Sequence, residues 1–279
     1  MQRWFNFNTC RTLNDFVACT VEGLSYVATS KDITIMSEMY INRVNWAAGE
    51  MKIFYELSKQ YYNVDDSKGY FLDLGANIGT TGIYFTKKLA PNLKLLSFEP
   101  DAENFKLHRI NLILNDMESA STLVNFGLGD KFDEVIMYRD LVNPGHNNIT
   151  EPKENVPTET IKIIPLDSYL YENNISAQEV KYIWIDTEGF EPQVLLGAKN
   201  LLRENPAPIF MECNLRAWDN SGYFEDMFMF LSENYSHFAL IASGKGTLYS
   251  LETLRELERP DNTLGQIGDI FFVRRGAID

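Results

Sequence analysis

Three groups of residues in this sequence have the types and spacing to do chemistry. The first lies between Tyr70 and Gly82, where a short apolar run carries one carboxylate, Asp73, and then breaks into Gly75, Gly79 and Gly82. A glycine turn at the carboxyl end of a buried strand lets backbone approach a ligand closely. The helix it opens favours polar or anionic groups at its N-terminus. The second is Glu99, which closes the run Leu95–Phe98 where an acidic side chain accepts both ribose hydroxyls of a nucleotide-like cofactor. The third is a set of carboxylates, Asp186, Glu188, Glu191 and Glu212, clustered around two later apolar runs.

Spacing separates the cofactors. A dinucleotide turn reads G-x-G-x-x-G, and its middle glycine lets the pyrophosphate touch the backbone. Asn77 stands in that place here. Asp73 would repel an anion but suits a zwitterion with an ammonium and a sulfonium. Asp73, Gly75, Asn77, Gly79, Glu99 and the adjoining Pro100 therefore fit S-adenosylmethionine better than NAD. An NAD(P)-dependent oxidoreductase is the competing reading, and a cofactor-binding module without catalysis is a third.

Methyl transfer is an in-line displacement that holds the acceptor oxygen roughly 3 Å from the sulfonium methyl while its proton is removed. Asp186 and Glu188, two apart in an extended segment, point to one side and read as acceptor-hydroxyl and sulfonium-side residues. The plainer reading makes them caps for the following helix or partners of loop amides. Four carboxylates on one rim are costly without a cation, a proton or a polyhydroxylated ligand. His146 is the candidate general base, because its ordinary pKa lies near working pH while carboxylates of ordinary acidity are poor bases for a sugar hydroxyl. A solvated loop histidine is the alternative. A divalent ion on Asp186, Glu188 and Glu212 suits Mg²⁺ or Ca²⁺ chemistry, though nothing in the spacing demands a metal. Glu212, Asn214 and Trp218 complete the expected acceptor side, with Trp218 and Trp46 as stacking surfaces for a sugar.

Residues 1–69 read as a helical N-terminal leader or cap, with apolar positions at helical spacing over Ile33–Val44 and Met51–Tyr62. Glu50 either opens the second of these helices or caps the cofactor's methionine end. From Tyr70 to the end, short strands alternate with helices, the pattern of an α/β domain with a mostly parallel sheet. Strands are expected at 70–74, 94–99, 121–128, 180–186, 208–213, 236–242 and 269–273. The third runs past Asn125 and Phe126, which fall near the cofactor's ring; Phe126 serves equally well as core. Residues of about 133–164 break the pattern and read as a hairpin-type insertion carrying a long polar loop with His146.

The 279 residues include 25 basic and 39 acidic ones, a net charge of −14, which disfavours nucleic acid and anionic membranes as partners. No apolar run reaches membrane-spanning length, and Met1–Asn14 lacks a signal-peptide pattern. Cys10, Cys19 and Cys213 share no metal-like spacing and read as reduced thiols in a cytoplasmic protein. Oligomeric state is unspecified.

Asp73-Leu-Gly-Ala-Asn-Ile-Gly79, Phe98-Glu-Pro100, Ile185-Asp-Thr-Glu-Gly-Phe-Glu191 followed by Val194-Leu-Leu-Gly-Ala198, and Phe210-Met-Glu212 together resemble the FkbM family of S-adenosylmethionine-dependent methyltransferases. The similarity covers roughly Glu50 to Glu212, and the D-x-E-G-x-E segment is its most specific part. The resemblance implies a Rossmann-like class I methyltransferase sheet of seven strands, the last antiparallel. It also implies O-methylation of a hydroxyl, on a sugar or glycoconjugate or alternatively on a secondary metabolite.

Overall fold

The computed structural model describes residues 2–140, 147–149, 154–241, 247–256 and 268–278. The leader holds more than helices. After α1 (Gln2–Leu13) come β1 (Phe16–Val21) and β2 (Leu24–Thr29), an antiparallel hairpin, and then α2 (Ile35–Asn42) and α3 (Ala48–Tyr62). This corrects the all-helical expectation. The hairpin has a local cause: Val17, Cys19 and Val21 alternate inward, and Glu22 and Gly23 both take positive φ in the two-residue turn.

The main unit follows: β3 (Tyr70–Leu74), α4 (Thr80–Tyr84), β4 (Lys94–Phe98), α5 (Ala102–Leu114) and β5 (Ser121–Val124). Next come β6 (Gly127–Leu128), β7 (Asp133–Tyr138), β8 (Thr158–Ile164), α6 (Leu166–Glu172), β9 (Val180–Ile185), α7 (Glu191–Leu196) and α8 (Lys199–Glu204). The chain continues with β10 (Ile209–Met211), α9 (Leu215–Ser221), α10 (Phe224–Asn234), β11 (Tyr235–Leu240), β12 (Leu248–Ser250), α11 (Thr253–Glu256) and β13 (Ile270–Arg274). The large sheet runs β12-β11-β13-β10-β9-β3-β4-β5 and has eight strands rather than seven, because the short β12 adds an edge. As expected, the last strand is antiparallel; it lies between β10 and β11.

The expected third strand splits, and the helix after β9 is interrupted, for identifiable reasons. The third strand stops at Val124, where the Asn125 amide turns to donate to the carbonyls of Glu99 (2.8 Å) and Pro100 (3.0 Å). Its remainder, β6, joins β7 and β8 in a separate three-stranded sheet. The helix after β9 breaks at Gly197, where a Cβ would fall 2.0 Å from the Gly129 carbonyl oxygen.

The leader shares the main core. Phe54 of α3 makes edge contacts with Tyr182 and Trp184 of β9, Phe210 of β10 and Phe271 of β13. The hairpin is held by Asn111 of α5 and by Asn115, which caps that helix; their side chains exchange hydrogen bonds with the backbone of Val27 and Ser25 as a neighbouring strand would. No described helix is long and apolar enough to cross a membrane.

Candidate active site

Sheet register puts the chemistry on one rim. Leu74 pairs with Phe98 on one side and Ile185 on the other, and Ile185 pairs with Met211. The residues just beyond, Gly75, Glu99, Asp186 and Glu212, therefore emerge side by side at the carboxyl ends of adjacent parallel strands. The chain order reverses between β3 and β9, the place where open α/β sheets bind ligands. β13 runs the opposite way, so its leading residue, Asp269, arrives at the same rim from the other direction. Sequence reasoning missed Asp269. The signal was available, since an antiparallel strand begins where its parallel neighbours end.

Two cavities open here and share Asn77, Asp186 and Glu188. The first is largely apolar, walled by Phe98, Pro100, Phe126, Leu128 and Phe190, with Gly75 and Glu99 at its floor. The insertion closes it with Met137, Ile161 and Ile163. Arg139 bolts that insertion down by reaching Asp101 (3.0 Å), Glu103 (3.0 Å) and Glu159 (2.6 Å), while Asp101 caps α5. The second cavity is acidic. Glu38, Glu50, Asp186, Glu188, Glu212 and Asp269 line it with Trp46, Trp184 and Phe210, and no Lys, Arg or His stands among its described lining residues. Glu50 is both a first-turn residue of α3 and a wall of this cavity.

The glycine turn is built from hydrogen bonds and close approach. Asp73 is buried, and its Oδ2 accepts from the Gly82 amide at 2.9 Å. Glu99 accepts from the Asn77 amide (2.7 Å) and the Asp101 amide (2.8 Å), which fixes its carboxylate at the cavity edge. Asn77 itself takes φ +50°, a conformation that Asn tolerates. Behind Gly79 sits His108, fully buried with no hydrogen bond to either ring nitrogen; burial pulls its pKa down to about 3 and keeps it neutral. A Cβ at Gly79 would fall 2.1 Å from the His108 ring, so the histidine shapes the turn by contact alone.

Other expected residues go elsewhere. Asn125 lies outside the first cavity, and its amide donates to the Glu99 and Pro100 carbonyls. The Asn214 side chain caps α9 by accepting from the Ala217 amide at 3.0 Å. Trp218 presents no face to an acceptor: it is fully buried, and its indole N–H donates to Glu191 at 2.7 Å. This corrects the stacking role, whereas Trp46 does line the acidic cavity. His146 lies outside the described residues.

Carboxylate oxygens of Asp186, Glu188 and Glu212 come within 4.8 Å of one another, a set of hard ligands able to hold a divalent cation or to share protons. Burial, then the charges of its neighbours beginning with Asp186, pushes the Glu212 carboxyl up to about 11. Asp186 is raised well above its ordinary value by burial and then by Glu188. Burial likewise raises Asp269 to about 6, Asp73 to about 7 and Glu99 to about 8. The folded protein thus binds more protons than the unfolded chain across this window, and stability falls as pH rises. The unliganded protein should lose thermal stability between about pH 4 and pH 8 from these last three groups. A melting temperature that climbs steadily over that range would contradict their burial.

The model of the Methyltransferase FkbM domain matches residues 73–238. No curated protein matches the chain. Among solved structures it is similar to the methyltransferase FkbM from Methylobacillus flagellatus KT at 15% identity and a TM-score of 0.46, covering 82% of this chain and 61% of that one. The chain thus spans 61% of the Methylobacillus protein. It is also similar to cofactor-bound Rv0187 from MTB, at 12% identity and a TM-score of 0.44, over 84% and 83% of the two chains.

Proposed function

The chain belongs to the FkbM methyltransferase family, and from that premise we propose that it is an S-adenosylmethionine-dependent O-methyltransferase acting on a hydroxyl of a sugar or glycoconjugate. The observation that carries this reading is the junction of the two cavities at Asn77, Asp186 and Glu188. One side offers what an adenosine needs, an apolar slot with Phe126 on its wall and the Glu99 carboxylate for ribose hydroxyls. The other offers what a cationic methionine end and a polyhydroxylated acceptor need, several carboxylates beside the Trp46 ring. Anionic acceptors such as nucleic acid meet like charge there. When bound, S-adenosylmethionine supplies the electrophilic methyl group.

This chain's own residues do the rest. Glu99 and the Gly75–Asn77 backbone orient the cofactor, with Glu50 and Asp269 facing its cationic end. Glu188 positions the acceptor, and Asp186 with Glu212 takes up the hydroxyl proton. His146 is the alternative base, since carboxylates of ordinary acidity are weak bases, but Glu212 and Asp186 are not of ordinary acidity. A cationic cofactor bound beside these carboxyls would favour their ionised forms, and an ionised one of the pair is the acceptor for the hydroxyl proton. The free thiols Cys10, Cys19 and Cys213 suit a cytoplasmic setting.

Calorimetry with S-adenosylhomocysteine and with NADH tests the cofactor, and a glycan array with labelled donor, with and without EDTA, tests the reaction. Binding of the first ligand alone and EDTA-resistant labelling are expected. NADH binding would return the site to the oxidoreductase reading, and EDTA-sensitive labelling would move the proton step to a metal. Glu99→Ala should weaken S-adenosylhomocysteine binding by roughly 2–4 kcal/mol through loss of two charge-assisted ribose hydrogen bonds. Parental affinity in that variant would place the ribose elsewhere.

A further inference from the structure

Glu188, at the junction of the two cavities, holds a left-handed backbone with φ +54°, and Gly189 follows at φ +96°. Two such residues in succession are natural for glycine and unfavourable for glutamate. Strain of this kind persists only where the surroundings impose it. The imposing group is in view. Glu191 is completely buried, and its Oε1 accepts from the Thr187 amide (2.9 Å), the Thr187 hydroxyl (2.9 Å) and the Gly189 amide (3.1 Å). Its Oε2 accepts from the Trp218 indole N–H at 2.7 Å. All four donors come from outside α7, so the carboxylate joins the turn carrying Glu188 to the buried indole of α9.

We infer that Glu191, braced by Trp218, is a positioning residue that forces the Thr187–Gly189 turn into its left-handed form and thereby sets Glu188 at the meeting point of cofactor and acceptor. The clamp stands on its own geometry; the task of Glu188 rests on the methyltransferase reading. The carboxylate is chemically specific here, because every partner is a donor and both oxygens accept. An amide in its place has one acceptor oxygen and one NH₂ group. It must turn that NH₂ either toward the indole N–H or toward the three turn donors. Removing the indole donor relieves this conflict, so a Trp218→Phe change should compensate a glutamine at 191.

The test has a thermal arm and a kinetic arm. With the clamp intact, E188G should melt about 2 °C above E188Q, since both lose the charge and only glycine loses the strain. In the E191Q background that gap should close. In the kinetic arm, E191Q should lower kcat at least tenfold with S-adenosylhomocysteine affinity within about threefold of parental, and E191Q/W218F should recover part of the loss. A gap that persists in E191Q, or E191Q with parental kcat, would overturn the clamp. So would a kcat loss that W218F deepens. Should E191Q not fold, W218F alone serves: it keeps an aromatic ring, though a smaller one, and removes the indole donor, and the E188G–E188Q gap should narrow in it, whereas an unchanged gap would count against the proposal. A parent that neither binds S-adenosylhomocysteine nor labels any acceptor would end the methyltransferase reading, while the thermal gap would still decide the clamp.

Discussion

Replacing Glu212 with glutamine is expected to make the protein more stable and nearly inactive. Glu212 follows β10 directly, with its Oε2 sealed from solvent and without a hydrogen-bond partner among the described residues. Burial, Asp186, Glu191 and Glu188 together push its carboxyl up to about 11. A folded pKa above the unfolded one means that stability is fully present below the unfolded value and is lost as pH rises toward the folded one. At neutral pH the chain must take up a proton to fold around this residue, which costs on the order of 1–3 kcal/mol. Glutamine has no such cost, so E212Q should melt several degrees higher, and the gain should grow between pH 5 and pH 8. Once a cationic cofactor beside it favours the ionised form, Glu212 can accept the hydroxyl proton; an amide cannot, and kcat should fall by ~10²–10⁴. Glu212 lines only the second cavity, away from the adenosine slot, so S-adenosylhomocysteine affinity should change less than in Glu99→Ala. A stabilised variant that has lost turnover marks a residue kept for chemistry at the expense of the fold. Parental turnover in E212Q would transfer proton removal to Asp186, Glu188 or His146, and a lower melting temperature would show that the carboxylate is structural.

The largest effect on the fold itself should follow Gly75→Ala. Gly75 sits at φ +88°, where an L side chain is strained. A Cβ there would fall 1.9 Å from the backbone oxygen of Asp186. That oxygen belongs to the neighbouring strand end and cannot swing away as a flexible side chain could. Either β3 or β9 must shift, and the register that aligns Gly75, Glu99, Asp186 and Glu212 would be lost with it. Steric strain and a clash with backbone together make a loss of about 4 kcal/mol or more reasonable. Thermal unfolding and S-adenosylhomocysteine calorimetry on the same preparation would measure it. On sequence grounds a side chain at this position would intrude on the donor. The structure gives a different reason, contact with a second strand, so Gly75→Ala should lose stability even without ligand. A variant with parental melting temperature and reduced affinity alone would restore the first explanation.

The sequence by itself determined which residues reach the rim. Asp73, Glu99, Asp186 and Glu212 each lie in or just beyond a short apolar run, and parallel strands joined by helices deliver such positions to one edge. The type of turn was legible in the same way, since Asn77 in the place of a glycine is a local chemical fact. Alternation over Phe16–Val21 and Leu24–Thr29 also encoded the hairpin of the leader, although the helical spacing on its far side masked it. Tertiary structure alone decided what each side chain faces. Trp218 and Asn214 also follow β10 in the chain, yet one turns inward to Glu191 and the other caps its own helix. Asp269 joins the rim only because β13 enters the sheet in reverse. The proton affinities of Glu212 and Asp186 likewise follow from burial beside one another, a property of distances between residues remote in the chain, which no local pattern of residue types can record.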